Sequence, residues 1–279
     1  MEPTFAAAFP AAAHVLVETN LPVTNLPVTN LPDTLLVAGS DGHHLVRVRR
    51  LQVGEAVTAA DGRGHWRPYL VSDVDDRALT LTATSPSRTE PVPAPGLAVA
   101  FALTKGVKPE TVVRQLTELG VDEILPVVAT RSTVRPRAER SGATAVRLER
   151  VAREAAMQCR RARLPRIAAV APLAALAGRS GLVIAERDDL PAPDPADPGA
   201  GGWLLVVGPE GGLAPEDLHV LEGTLARPLP RLSLGPHVLR AETAAVAAAA
   251  VLSTRRSAEP SGRAGIFRPR SVAGTAESC

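Results

Sequence analysis

Apolar residues follow two different periods along the chain. Between Leu35 and Thr84 apolar and polar positions alternate over short spans, as where Leu79, Leu81 and Ala83 interleave with Thr80, Thr82 and Thr84. A period of two sets one side of a strand on a core and the other in water. Asp41-Gly42 and Asp61-Gly62 are turn dipeptides between such spans, and short strands with regular turns predict a small β-barrel. Within this stretch lies HHLVRVRRL, residues 43–51, with His43, His44, Arg47, Arg49 and Arg50 as its polar members. A basic patch on a small barrel is either an RNA-docking surface or a solvated edge.

Beyond residue 96 the pattern changes. Leu97–Leu103, Ile124–Val128, Ile167–Val170, Leu182–Ala185, Trp203–Val207 and Arg231–Leu234 read as strands, although Pro126 sits badly in the second. Helices are predicted over Pro109–Leu119, Thr144–Cys159, Pro215–Glu222 and about Glu242–Arg255. The first has proline at its start, Glu110 in its first turn and Gly120 just past its end. Val112, Val113, Leu116 and Leu119 form its apolar face. Strands alternating with helices predict a mostly parallel sheet covered on both faces. The last helix is so rich in alanine that it belongs in a core or a dimer interface.

Three segments fall outside these patterns. Residues 85–96, SPSRTEPVPAPG, hold four prolines and read as a linker. Residues 19–33 repeat the unit TNLPV, with Asp33 replacing the last valine. Units of five residues are too short for a solenoid, so this is expected to be an inserted loop without a catalytic role. The tail from Ser257 is polar and is expected to be disordered.

With 45% hydrophobic and 22% charged residues among 279, the chain is neither disordered, collagen-like nor a coiled coil. Its longest apolar run, Ala244–Leu252, is nine residues, whereas a membrane-spanning helix needs about 20. The N-terminus lacks the features of a secretory signal, and the only cysteines are Cys159 and Cys279, so a reducing, cytoplasmic setting is expected. The net charge is only +2, yet of 31 basic residues just two, Lys105 and Lys108, are lysines. Arginine presents a planar fork suited to phosphate and to base stacking. The arginines cluster: Arg131, Arg135, Arg137 and Arg140 follow one strand, Arg147, Arg150 and Arg153 share a helix face, and Arg160, Arg161, Arg163 and Arg166 crowd a turn.

The chemistry concentrates in two loops. In WLLVVGPEGGLAPEDL, residues 203–218, a strand runs into Gly208-Pro209-Glu210-Gly211-Gly212 and then a helix. In LSLGPHVLRAETAA, residues 232–245, a strand meets Gly235-Pro236, then Val238-Leu239-Arg240, then a helix near Glu242 and Thr243. Loops at the C-terminal ends of parallel strands bind ligands in α/β folds. Spacing alone leaves each as a ligand loop or a tight strand-to-helix turn, and neither is a P-loop or a dinucleotide fingerprint. The six histidines show no metal-ligand spacing, and no nucleophile elbow is present. The chemistry is therefore expected to come from a bound cofactor.

Taken together, HHLVRVRRLQVGEAV, KGVKPETVVRQLTELGVDEILPVVATRSTVR, REAAMQCRRARLPRI, LLVVGPEGGLAPEDL and LSLGPHVLRAETAA resemble the bacterial 16S ribosomal RNA uridine N3-methyltransferases, the RsmE type of the SPOUT class. The resemblance covers roughly residues 35–256 and rests most on the GPEGG and LGPxxLRxET elements. It implies an α/β protein with a PUA-like RNA-binding β-barrel over 1–84, including the 19–33 insertion. A linker over 85–96, a SPOUT domain over 97–256 ending in a trefoil knot, and a tail over 257–279 would follow. It also implies S-adenosylmethionine as cofactor, a homodimer joined through the C-terminal domain, and 16S rRNA in the small ribosomal subunit as substrate.

By the same resemblance the cofactor would be held by Val207, Gly208, Pro209, Glu210, Gly211, Gly212, Leu234, Gly235, Val238, Leu239, Arg240 and Thr243. RNA would be held by His43, Arg47, Arg50, Lys105, Arg131, Arg161 and Arg163. Arg240 and Glu242 are the expected catalytic pair, Glu242 as proton acceptor and Arg240 as stabiliser of a developing uracil anion. The chain departs from the family pattern at Gln115, Ala162, His237 and Ala241, where lysine, asparagine, arginine and threonine are common. Ala214 stands at a usual helix N-cap serine. A SPOUT methyltransferase of another RNA such as tRNA, or an rRNA-binding protein without catalysis, are the alternatives.

Overall fold

Alternation builds the barrel as expected: Leu79 and Leu81 are wholly buried while Thr80 and Thr82 face outward. In the computed structural model, residues 4–17, 31–105, 108–132, 138–186, 198, 201–223 and 229–258 are described, without the side chains of 138–141 and 257–258. The tail beyond 258 and most of the TNLPV repeat lie outside these residues. Leu31, Pro32 and Asp33 at the repeat's end dock on the barrel, where Leu31 is buried and the Tyr69 hydroxyl donates to the Pro32 carbonyl at 2.8 Å.

The barrel strands are β1 (Ala13–Leu16), β2 (Thr34–Val37), β3 (Ala56–Ala60), β4 (His65–Val74), β5 (Leu79–Ala83) and β6 (Arg88–Thr89). They run in the order β1-β3-β4-β5-β2, with β6 on β4, and β1 alone pairs in parallel. Two expectations change here. The stretch read as a linker contributes β6 and the buried Glu90 to the barrel. HHLVRVRRL is not a strand: helix α1 (Gly39–His43) continues as a π-helical turn over His44–Val48. The turn can sit there because Gly42 lies against backbone. A Cβ on it would come within 2.5 Å of the Arg77 carbonyl oxygen and 2.6 Å of that of Val37.

The second sheet is parallel throughout. Its strands are β7 (Leu97–Ala102), β8 (Glu123–Val128), β9 (Arg166–Ile167), β10 (Ala171–Pro172), β11 (Leu182–Glu186), β12 (Trp203–Val207) and β13 (Arg231–Ser233). The order is β10-β8-β7-β12-β11-β13, with β9 also on β8. Instead of one strand over Ile167–Val170, the chain makes two short pairings with β8. Pro126 fits between them, after the pair Ile124–Ile167 and before Val127–Ala171, where no ladder bond needs its amide.

Helices α2 (Pro109–Glu118), α3 (Ala138–Cys159) and α5 (Ala241–Ala258) cover one face of this sheet. Helix α4 (Pro215–Glu222) and a 3-10 turn over Leu173–Leu176 cover the other. Helix α3 begins six residues earlier than its apolar pattern predicts, and α5 runs on through Ser257 and Ala258.

A buried seam joins the two units. Trp66, Leu16, Ala60 and Ala6 of the barrel side pack on Ala156 in α3 and on Ala162 just past its end. The turn after α3 reverses at Arg160, which takes the left-handed φ of 59° that glycine usually supplies. His14 on β1 is also buried, with Nδ1 2.8 Å from the Thr58 hydroxyl oxygen. Burial holds its pKa down to about 4 against 6.5 in the unfolded chain, helped by the charge of Arg160 and opposed by a hydrogen bond at the Arg161 backbone.

The unfolded chain therefore binds the extra proton in that window. His14's contribution is whole above pH 6.5 and is lost as the pH falls toward 4, by at most about 3 kcal/mol. His14→Gln should flatten the stability–pH profile between those limits. Urea midpoints for the two proteins that fall in parallel over this range would refute the assignment.

Candidate active site

The two glycine loops meet at one end of the parallel sheet. The loop after β12 and the loop after β13 close on a cavity of about 340 Å³ over the C-terminal ends of β11 and β12. That is the size of a small-molecule site in the position where α/β sheets bind ligands. Nine of the residues expected to hold a cofactor line it: Val207, Gly208, Pro209, Glu210, Gly211, Gly212, Leu234, Val238 and Leu239. Gly235, Arg240 and Thr243 do not; the N-terminus of α5 presents Ala241 and Ala244 instead.

Ile184, Ala185 and Glu186 complete the wall at the end of β11, with Leu213, Leu218 and His237. The position of Glu186 at a strand's C-terminal end was the available signal for it. Its carboxylate pairs with Arg231 on the neighbouring β13.

The glycine loop is held in shape from outside. Gly212 takes a φ of 70°, which a side chain would resist. The Thr104 hydroxyl, just past β7, donates to Glu210 Oε1 at 2.9 Å. Arg131, just past β8, donates to the Gly211 carbonyl at 2.6 Å. Ala214 cannot cap α4 with its side chain, so only the reverse half of a capping box exists: Asp217 Oδ2 accepts the Ala214 amide at 3.0 Å.

Glu242 lies in the first turn of α5, where the helix dipole favours negative charge. Its Oε2 is buried and makes no hydrogen bond among the described residues. A buried acceptor left unpaired costs about 1–3 kcal/mol.

The residues expected to hold RNA divide into three groups. His43, Arg47 and Arg50 are exposed on the helical turn of the barrel, Arg47 pairing with Asp76 at 3.0 Å. Lys105 and Arg131 are exposed at the C-terminal edge of the parallel sheet, beside the glycine loop. Arg161 and Arg163 are committed to the seam. Arg161 donates to the Thr117 carbonyl at 3.0 Å and sits near Asp122, and burial lowers its pKa. Arg163 donates to the carbonyls of Arg63 and Glu90 and lies against Gly64, where a Cβ would be 2.4 Å from its guanidinium carbon.

Arg160 joins them, donating to the Phe9 and Ala11 carbonyls at 3.2 and 2.6 Å. From the α3 stripe, Arg153 bonds the Leu16 carbonyl and Asp41, and Arg147 pairs with Glu110. The buried Glu90 carboxyl, which accepts the Ala6 amide at 3.0 Å, is pushed up in pKa by desolvation despite the nearby Arg161 and Arg163. Among the described residues, no three His, Cys, Asp or Glu side chains come together as a metal site.

The chain matches known proteins in sequence and in fold. A family model described as an RNA methyltransferase domain matches residues 91–253, and one described as an RNA methyltransferase PUA domain matches residues 37–84. Ribosomal RNA small subunit methyltransferase E of Mycobacterium bovis is 35% identical over 240 residues, covering 81% of this chain and 89% of its own length. The protein of that name from Synechocystis is 29% identical over 235 residues, covering 79% and 73%.

The crystal structure of ribosomal RNA small subunit methyltransferase E from Neisseria gonorrhoeae, bound to S-adenosyl methionine, superposes with a TM-score of 0.69. It covers 87% of this chain and 97% of its own at 22% identity, a likeness of fold. With barrel and parallel domain each matched in order, and over a third of aligned residues shared with the mycobacterial relative, the chain belongs to the ribosomal RNA small subunit methyltransferase E family.

Proposed function

We propose that the protein transfers a methyl group from S-adenosylmethionine to N3 of a uridine in small-subunit 16S rRNA. The observation that carries this is the cavity closed by the loops after β12 and β13 in a chain of this family. The residues present suit the cofactor. Val207, Leu213, Leu234 and Leu239 offer apolar surface to a flat purine, the glycine loop offers backbone polar groups, and Glu210 offers negative charge to a cation.

When bound, S-adenosylmethionine supplies an electrophilic methyl group on a sulfonium. The chain's own part is placement, exclusion of water and handling of one proton. Uridine N3 is protonated at neutral pH and lies on the pairing edge, so the base must leave its partner to be reached. Glu242, with its unpaired oxygen at the start of α5, accepts the N3 proton, and Arg240 stabilises the uracil anion as it forms. Lys105 and Arg131 beside the cavity and His43, Arg47 and Arg50 on the barrel take the RNA phosphates.

The reading extends to a trefoil knot formed by the two cavity loops and to a cytoplasmic homodimer joined through α5. Val251 and Thr254 on that helix are exposed, as is Val238 at the cavity. No helix among the described residues is long and apolar enough to cross a membrane.

The test uses purified protein, S-adenosylmethionine and small subunits from a strain lacking the gene. The digested 16S rRNA should contain new 3-methyluridine by mass spectrometry. Cofactor binding without that product would redirect the search to tRNA. Neither binding nor product would leave an RNA-binding protein without catalysis.

A further inference from the structure

Asp217 is buried in the first turn of α4, and donors from two different loops occupy both of its carboxylate oxygens. Oδ2 accepts the Ala214 amide at 3.0 Å, at the end of the glycine loop. Oδ1 accepts the Thr130 hydroxyl at 2.8 Å and the Thr130 amide at 3.1 Å, in the loop after β8. That second loop is itself a closed turn, since the Ser132 hydroxyl accepts the Ala129 amide at 3.0 Å. The next residue after Thr130 is Arg131, which reaches back to the Gly211 carbonyl at 2.6 Å.

The contacts form a ring: from Asp217 to Thr130, along the chain to Arg131, across to Gly211, and through Gly212, Leu213 and Ala214 back to Asp217. Two adjacent glycines leave the loop little stiffness of its own. The ring supplies it.

We propose that Asp217 is a positioning residue, which holds the glycine loop in its ligand-ready shape through Thr130 and Arg131. The proposal rests on the reading that this loop cradles S-adenosylmethionine. Asp217 lines no part of the cavity. It acts by removing in advance the ordering cost that binding would otherwise carry.

An Asp217→Asn side chain keeps the shape but turns one acceptor into a donor, facing either the Ala214 amide or Thr130. Losing one such charge-assisted bond should raise the dissociation constant for S-adenosylmethionine by about tenfold, measured by calorimetry. The turnover number at saturating cofactor should not move. Thr130→Val should shift cofactor affinity in the same direction by less, and Thr130→Ser, which keeps the hydroxyl, should restore it.

A merely structural aspartate would lower the melting temperature and leave cofactor affinity of the folded fraction unchanged, and that result overturns the proposal. Because Thr130 is exposed, its valine variant decides the matter even where Asp217→Asn does not fold: affinity equal to wild type refutes the ring. If wild-type protein itself fails to bind S-adenosylmethionine, the cofactor reading falls and the proposal with it. If wild type binds and both variants bind equally well, only the role of Asp217 falls.

Discussion

Glu242→Gln will lower single-turnover methylation by about 10²–10⁴-fold, the usual worth of a positioned general base, with cofactor affinity unchanged. Glutamine keeps the size and one acceptor oxygen but cannot take up a proton. Glu242 is suited to the change because its Oε2 is buried without a partner, so no hydrogen bond of the fold is lost. It also lies outside the cavity lining, so cofactor binding should be spared.

Arg240→Ala should lower the rate by about 10²–10³-fold for a different reason, the loss of a cation facing developing charge. The two can be told apart by pH. Raising the pH deprotonates a fraction of the uridine without help, so it should recover part of the Glu242→Gln rate and little of the Arg240→Ala rate. A Glu242→Gln enzyme that turns over at the wild-type rate at neutral pH would remove Glu242 from the mechanism.

The largest effect on stability belongs to Trp66. Its side chain is fully buried where the barrel meets α3, edge-on to Phe9 with ring centroids 6.1 Å apart. The Arg88 guanidinium lies 5.1 Å from its ring, and its indole N–H donates to the Thr4 carbonyl at 3.2 Å. Trp66→Ala should cost about 3–5 kcal/mol, because alanines 6, 60, 156 and 162 around it are too small to close the hole. Urea unfolding should show a lower midpoint, and Trp66→Phe should fall between. A loss below about 1 kcal/mol for the alanine variant would mean that the seam is not part of the cooperative core.

The parallel domain was legible because its signals are local. The run Trp203–Val207 and the helix Pro215–Glu222 lie where the pattern put them. What the sequence does not reveal depends on distant partners. Strand β1 is four residues long and pairs with β3 some 44 positions on, so its burial leaves no periodic trace.

The valine–arginine alternation of residues 46–49 imitates a strand, but Val48 is exposed and the segment is helical, seated where Gly42 leaves no room for a side chain. Glycine spacing alone leaves the two loops open between ligand loop and tight turn; the family resemblance points to a cofactor, and nine of the residues it names line the cavity. Glu186, Leu213, Leu218 and His237 join them only through the sheet order. Arg161 and Arg163 have the residue type of phosphate binders; only the location of the carbonyls of Thr117, Arg63 and Glu90 shows how they are used.

The arginines of the seam donate mainly to main-chain carbonyls: Arg160 to Phe9 and Ala11, Arg163 to Arg63 and Glu90, Arg153 to Leu16 as well as to Asp41. A carbonyl dipole at hydrogen-bond distance attracts too locally for mobile ions to weaken it, whereas exposed charges facing phosphate are screened within about 10 Å at 0.1 M salt. Ionic strength therefore acts on the two sets of arginines unequally. If the exposed set holds RNA as proposed, added salt should strip it away, as counterion release requires, while the seam should stay closed. On that reading, a concentrated-salt wash should free the protein of RNA, and return to low salt should leave its architecture unchanged.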